Sequence, residues 1–110
     1  MKAKFRYLLV SSSLSIGEMD EHELSRGLVH YIGASNYFIA NPRIFKTVGD
    51  HAFIMKVSLR GYSALVLALA LMKHISGKEC GFFTVYTSGT LKALYKYIEA
   101  VGAGLNTKVD

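Results

Sequence analysis

Cysteine is nearly absent from this chain: Cys80 is the only one among 110 residues, so no intrachain disulfide can form. That excludes a disulfide-stapled scaffold and suits a reducing, intracellular setting. Cys80 reads as a small core residue rather than a nucleophile, because no histidine stands in an obvious relation to it. Tryptophan is missing and Pro42 is the single proline. Long apolar runs are missing too: Ala64 to Met72 falls well short of the roughly 20 residues that cross a bilayer. The apolar stretch Tyr7 to Val10 is too short for a signal-peptide core. A soluble, cytoplasmic protein with no membrane partner is expected.

Acidic residues are scarce and unevenly placed. Four of the eight, Glu18, Asp20, Glu21 and Glu23, fall within one short stretch that has no Lys or Arg. Elsewhere the 13 Lys and Arg face only four acids, leaving an excess of nine positive charges. Such a field attracts nucleic acid or an anionic surface, although an ordinary solvated basic face fits the charge equally well.

Catalytic groupings are also lacking. His22, His30, His51 and His74 are scattered over different elements, without the pairing or the Cys partners of a zinc site. Ser88 lies in Ser-Gly-Thr, not in a Gly-x-Ser-x-Gly elbow, and a capping role suits it better. No Gly-rich nucleotide loop ending in Lys-Ser/Thr occurs. The clustered acids match a helix dipole better than they match magnesium. The residues alone describe a binding module with no catalytic residue and no metal site.

What is present is regular patterning. Lys4 to Ser11 alternates as a strand, with Phe5, Tyr7 and Leu9 on one side and Lys4, Arg6 and Leu8 on the other. Ser12 to Met19 reads as a loop, and Asp20 with Glu23 resembles a capping box. Leu24, Leu28, Tyr31 and Ile32 follow at helical spacing up to Gly33, a stop signal, and a polar loop through Ala34, Ser35 and Asn36 is expected after it. Asn41-Pro42 marks a turn before a strand at Arg43 to Val48. Gly49-Asp50 predicts a two-residue hairpin into a strand at His51 to Leu59. Arg60-Gly61 breaks that strand, and Tyr62 to Ile75 predicts a helix apolar around nearly its whole circumference, hence buried on more than one side. Gly77 ends it, and Cys80 to Thr87 is the next strand. Leu91, Leu94, Ile98 and Val101 stripe a last helix before a tail at Gly102 to Asp110, expected to be flexible. The order β-α-β-β-α-β plus a helix predicts one α+β domain over residues 1–110, a ferredoxin-like split βαβ with two helices on one face of an antiparallel sheet and an added C-terminal helix.

Two places could receive an anion. Phe82 to Thr87 passes through Ser88-Gly89-Thr90 into a helix bearing Lys92 and Lys96; the first N–H groups of such a helix lack intrahelical partners and its dipole favours phosphate. Along the third strand, Phe53, Met55, Val57 and Leu59 form the apolar face. The opposite face carries Ala52, Ile54, Lys56, Ser58 and, at its end, Arg60. With Lys4 and Arg6 of the first strand, this alternation places four cations on the face without helices, a phosphate-contacting surface. Ala52-Phe53-Ile54 has little of the aromatic strand consensus of an RNA recognition motif, and base stacking is not read from it.

Four islands, in order, resemble a known family: Arg6-Tyr7; Ala40-Asn41-Pro42; Phe53-Ile54-Met55-Lys56-Val57 with the helix containing Ala68-Leu69-Ala70-Leu71; and Val85-Tyr86-Thr87-Ser88-Gly89-Thr90-Leu91-Lys92-Ala93. The family is the small ferredoxin-like protein subunit of archaeal and eukaryotic ribonuclease P, called ribonuclease P protein component two in archaea. The likeness runs from Arg6 to about Lys96. It departs at Lys56, where the family commonly has arginine, and in the less basic run after Ser-Gly-Thr.

The resemblance implies an endoribonuclease subunit that binds ribonuclease P RNA, through Lys4, Arg6, Lys56, Arg60, Ser88, Gly89, Thr90, Lys92 and Lys96. The particle removes the 5′ leader of precursor tRNA, with magnesium-dependent chemistry carried by the RNA and no cofactor on this chain. A TIM-barrel-like protein subunit is the implied protein partner, and contact with a second copy of the chain stays open. A free-standing ferredoxin-like ligand-sensing domain is the alternative, and a same-fold enzyme acting on acyl phosphates is disfavoured because Pro42 separates Asn41 from Arg43.

Overall fold

The structure, a computed structural model, describes residues 4–75 and 77–107. Its elements are β1 (Phe5–Ser12), α1 (Glu21–Ala40), β2 (Arg43–Thr47), β3 (Ala52–Ser58), α2 (Tyr62–Leu71), β4 (His74–Ile75), β5 (Lys78–Glu79), β6 (Phe82–Ser88) and α3 (Leu91–Thr107). β2, β3, β1 and β6 form an antiparallel four-stranded sheet in that order. This is the expected α+β, ferredoxin-like arrangement with an added C-terminal helix.

Alternation along the strands builds two cores. Leu8 and Val10 of β1 lie opposite Met55 and Phe53 of β3, and all four are buried against Leu24 and Leu28 of α1 and Leu65 and Leu69 of α2. Phe82 closes this core edge-on against Phe53, with ring centres 6.2 Å apart. The main core stabilises most, since each large side chain removed from water contributes roughly 1.5–3 kcal/mol. On the other face Leu9, Ala52 and Ile54 are buried under Leu94 of α3, and Tyr97 of α3 stacks on Tyr86 at 4.1 Å. The sheet is therefore covered by helices on both sides, α3 taking the face that the strand pattern left bare.

Two bulges enlarge the α3 face. β6 slips register between Leu9 and Val10 of β1, and Val85 and Tyr86, adjacent in sequence, both pack on the α3 side. β2 slips between Ile44 and Lys46, so Ile44 joins the main core while Phe45 meets Tyr7 on the opposite face. A bulge puts two residues against one and re-aims a side chain.

Local chemistry explains where the elements start and stop. Asp20 caps α1 by accepting from the His22 N–H at 2.9 Å, as expected, but Glu23 pairs with Arg26 at 3.3 Å instead of returning to Asp20. Gly33 does interrupt the helix, with φ 84° and ψ 156°. The expected loop at Ala34 to Asn36 is instead a second helical segment running to Ala40, in which the Asn36 side chain donates to the Ile32 carbonyl. That backbone region is almost exclusive to glycine and costs other residues about 1–3 kcal/mol. Gly33→Ala should therefore destabilise the fold by that amount despite open space around the position. Thermal melts check this, and an unchanged midpoint would mean that the two segments had straightened into one helix.

Other boundaries differ from the pattern. α2 ends at Leu71, not at Ile75: Lys73 to Cys80 folds back as a small hairpin of β4 and β5 around Gly77, whose φ is 78°. The fold-back buries Ile75 in the main core and closes with a bond from the Cys80 N–H to the Lys73 carbonyl. The β2–β3 connection is longer than two residues, because the Val48 N–H donates to the Ala52 carbonyl across Gly49, Asp50 and His51. Cys80 is buried beside Ser12, 3.4 Å from its hydroxyl. α3 does not break at Gly102 but stays helical through Thr107, and residues 108–110 lie outside the described part.

Candidate nucleic-acid interface

Antiparallel pairing gathers distant sequence at one end of the sheet. β1 starts where β3 and β6 finish, so Tyr7 lies opposite Ser88 and beside Lys56. The N-termini of α2 and α3 open at the same end. Tyr62, the first residue of α2, donates its hydroxyl to Thr87 at 3.2 Å.

The turn into α3 is held by its own side chains. Ser88, buried, donates to the Thr90 carbonyl at 2.8 Å and accepts from the Thr90 N–H at 3.1 Å. Thr90 then accepts from the Ala93 N–H at 3.2 Å, the bond of an N-cap. Helix geometry leaves the N–H groups of Leu91 and Lys92 without intrahelical acceptors, at the positive end of the helix dipole. Arg6 supplies the adjacent charge: its guanidinium lies against Gly89, so near that a β-carbon there would sit 3.4 Å from Nη1. The same nitrogen donates to the Phe5 carbonyl at 3.1 Å, which holds the side chain along the sheet end. The guanidinium and the turn that starts α3 are thus neighbours at the sheet end, and a guanidinium beside a helix N-terminus is an arrangement that can accept a phosphate.

The remaining expected residues divide between faces. Arg6 pairs with Val57, on the α1/α2 side, whereas Lys56 pairs with Tyr7, on the α3 side. The expectation of four cations on one face is therefore wrong: pleating sends Arg6 and Lys56 to opposite sides. That face is not free of helices either, since α3 lies on part of it. Lys4 is exposed at the sheet end, its carbonyl accepting from the Leu59 N–H at 2.9 Å. Arg60 is exposed in a short 3₁₀ turn spanning Leu59–Gly61, outside β3, and Leu59 with it leaves the apolar strand face. Lys92 and Lys96 are exposed on α3, Lys96 more than a turn beyond the cap. Lys4, Arg6, Arg60 and Lys92 consequently stand around one end of the sheet, and Lys56 stands on the α3 face.

Three residues of β2 that the pattern did not single out join Lys56. Arg43 lies directly across from it, Lys46 sits with its ammonium 5.7 Å from the centre of the Tyr95 ring, and Phe45 is 50% exposed. Two like charges directly opposite each other are unfavourable unless an anion lies between them. The alternation Arg43-Ile44-Phe45-Lys46 was a usable signal, but the bulge that brings both cations and Phe45 to one face is invisible in it. Among the described residues the ion pairs are Arg26–Glu23 and Lys78–Glu18, and neither involves these cations.

No curated protein matches the sequence. The chain is similar in fold to a chain in the cryo-EM structure of yeast ribonuclease MRP, at 12% identity and a TM-score of 0.56, covering 97% of this chain and 98% of that one. The family of Rpp14/Pop5 proteins matches residues 6–99, a span that takes in all of the four-stranded sheet but Phe5, with Arg6 and the Ser88–Thr90 turn. The chain belongs to the Rpp14/Pop5 family of ribonuclease P proteins.

Proposed function

We propose that this chain is an RNA-binding subunit of a ribonuclease P-type ribonucleoprotein, corresponding to the small subunit called protein component two, and that it supports removal of the 5′ leader from precursor tRNA. The observation that carries the reading is the meeting of Arg6 with the Ser88–Thr90 cap at the N-terminus of α3. Family membership supports a ribonuclease P-type particle as the one such a phosphate site would serve. Cations around the sheet end would hold the backbone of the particle's RNA and steady its active conformation. The chain's own residues would bind and orient, and magnesium-dependent chemistry would belong to the RNA.

A TIM-barrel-like protein subunit is the partner this reading supplies, and the cytoplasm is its setting. The test is reconstitution: catalytic RNA and the other protein subunits are assayed for leader removal from precursor tRNA, with and without this chain. Cleavage at moderate magnesium should depend on its addition, and cleavage indifferent to it would sink the proposal.

A further inference from the structure

We propose that the part of the α3 face left uncovered by α3 is a stacking site for an unpaired base, with Phe45 as its platform; this rests on the RNA-binding reading above. α3 is anchored over Leu9, Ala52 and Ile54, and it leaves the β2 side of the face open. There Phe45 exposes half of its surface while its ring packs against Tyr7 in a T-shaped pair, with centres 6.4 Å apart and planes at 74°. A half-exposed aromatic ring held in place by a neighbouring ring is what a base can stack upon.

Charge complementarity decides the occupant. Lys56 holds its ammonium 4.1 Å from the centre of the Phe5 ring and 6.0 Å from that of Tyr7, directly opposite Arg43 on the neighbouring strand. Lys46, next to Phe45, lies over Tyr95. β2 and β3 contribute no carboxylate to this face. An apolar protein helix would strand these cations, whereas a nucleotide satisfies both halves, its base on the ring and its phosphate among Arg43, Lys46 and Lys56. A single strand fits and a duplex does not, because paired bases cannot leave their stack to reach the ring.

The experiment uses the full chain and a fluorescein-labelled single-stranded RNA of about ten nucleotides, beside a duplex of the same sequence. Phe45→Ala should weaken single-strand binding about tenfold and leave duplex binding unchanged, with Phe45→Trp restoring it. Because Phe45 is exposed, the melting temperature should hold in all variants. Arg6→Ala in the same assay should weaken both forms alike, since it acts on phosphate. Equal single-strand affinity for wild type and Phe45→Ala would overturn the stacking site while leaving the RNA reading intact, provided Arg6→Ala still acts. Loss of binding to a protein subunit of the particle on Phe45→Ala, with RNA affinity intact, would assign the face to protein and also overturn it. No affinity of the wild type for either RNA would bring down both.

Discussion

Gly61→Ala should unfold this protein more readily than any other single methyl addition considered, lowering its melting temperature by roughly 10–20 °C for about 3 kcal/mol lost. A β-carbon at Gly61 would lie 2.4 Å from both the Cα and the Cβ of Ala40 and 2.8 Å from its backbone nitrogen. Those atoms belong to the last turn of α1, which is held where it is by the Ser58 hydroxyl donating to the Ile39 carbonyl at 2.6 Å. Relief requires moving backbone, so α1 must separate from the turn that starts α2. Gly27→Ala is the contrasting control. Its new methyl would meet the Met72 side-chain terminus at 2.7 Å, which can rotate away, and alanine in place of glycine favours a helix by up to about 1 kcal/mol. Equal losses for the two variants, measured by calorimetry or circular dichroism, would show that the Gly61–Ala40 contact is not the reason.

Arg6→Ala should lower affinity for the particle's RNA about tenfold and reduce the slope of log affinity against log salt by roughly 0.7–0.9, the loss of one phosphate contact. The fold should not suffer, because the hydrogen bond its side chain makes goes to the carbonyl of its own neighbour, Phe5. Arg6→Lys should recover part of the affinity and little of the geometry, since an ammonium lacks the planar fork. Lys92→Ala belongs to the same cluster and should lower the slope as well. Lys96→Ala, more than a turn along α3, should matter less. Filter-binding titrations over a range of salt would check the series, and an unchanged slope for Arg6→Ala would move the phosphate contact to the α3 face.

Much of the chain could be read locally because local forces decide it. The strand alternation of Lys4 to Ser11, the cap at Asp20 and the helix that follows Thr90 each depend on a few adjacent residues, and each is found where expected. Gly33 breaks the helical backbone where a stop was expected, but the helix resumes after it. The α2 boundary was not legible in the same way. Met72 and Ile75 keep an apolar helical spacing with no glycine or proline between them, and only the pairing of His74 with Glu79 and Ile75 with Lys78, with Ile75 entering the core, favours a hairpin there.

The site divides along the same line. Periodicity and spacing by themselves determined that one sheet with apolar faces would form, that a strand would turn through Ser88-Gly89-Thr90 into a helix, and that cations would flank both. Tertiary structure alone decided which cations meet. Arg6 and Gly89 are far apart in the chain and become neighbours because β1 pairs with β6; Arg6 and Lys56 look alike in the pattern and part company because register, which is a relation between strands, puts Arg6 opposite Val57 and Lys56 opposite Tyr7. The bulge at Phe45 and the seating of α3 are likewise compromises among several elements. Local interactions select the elements, but which side chains share a face is set by long-range pairing, and no window of sequence contains it.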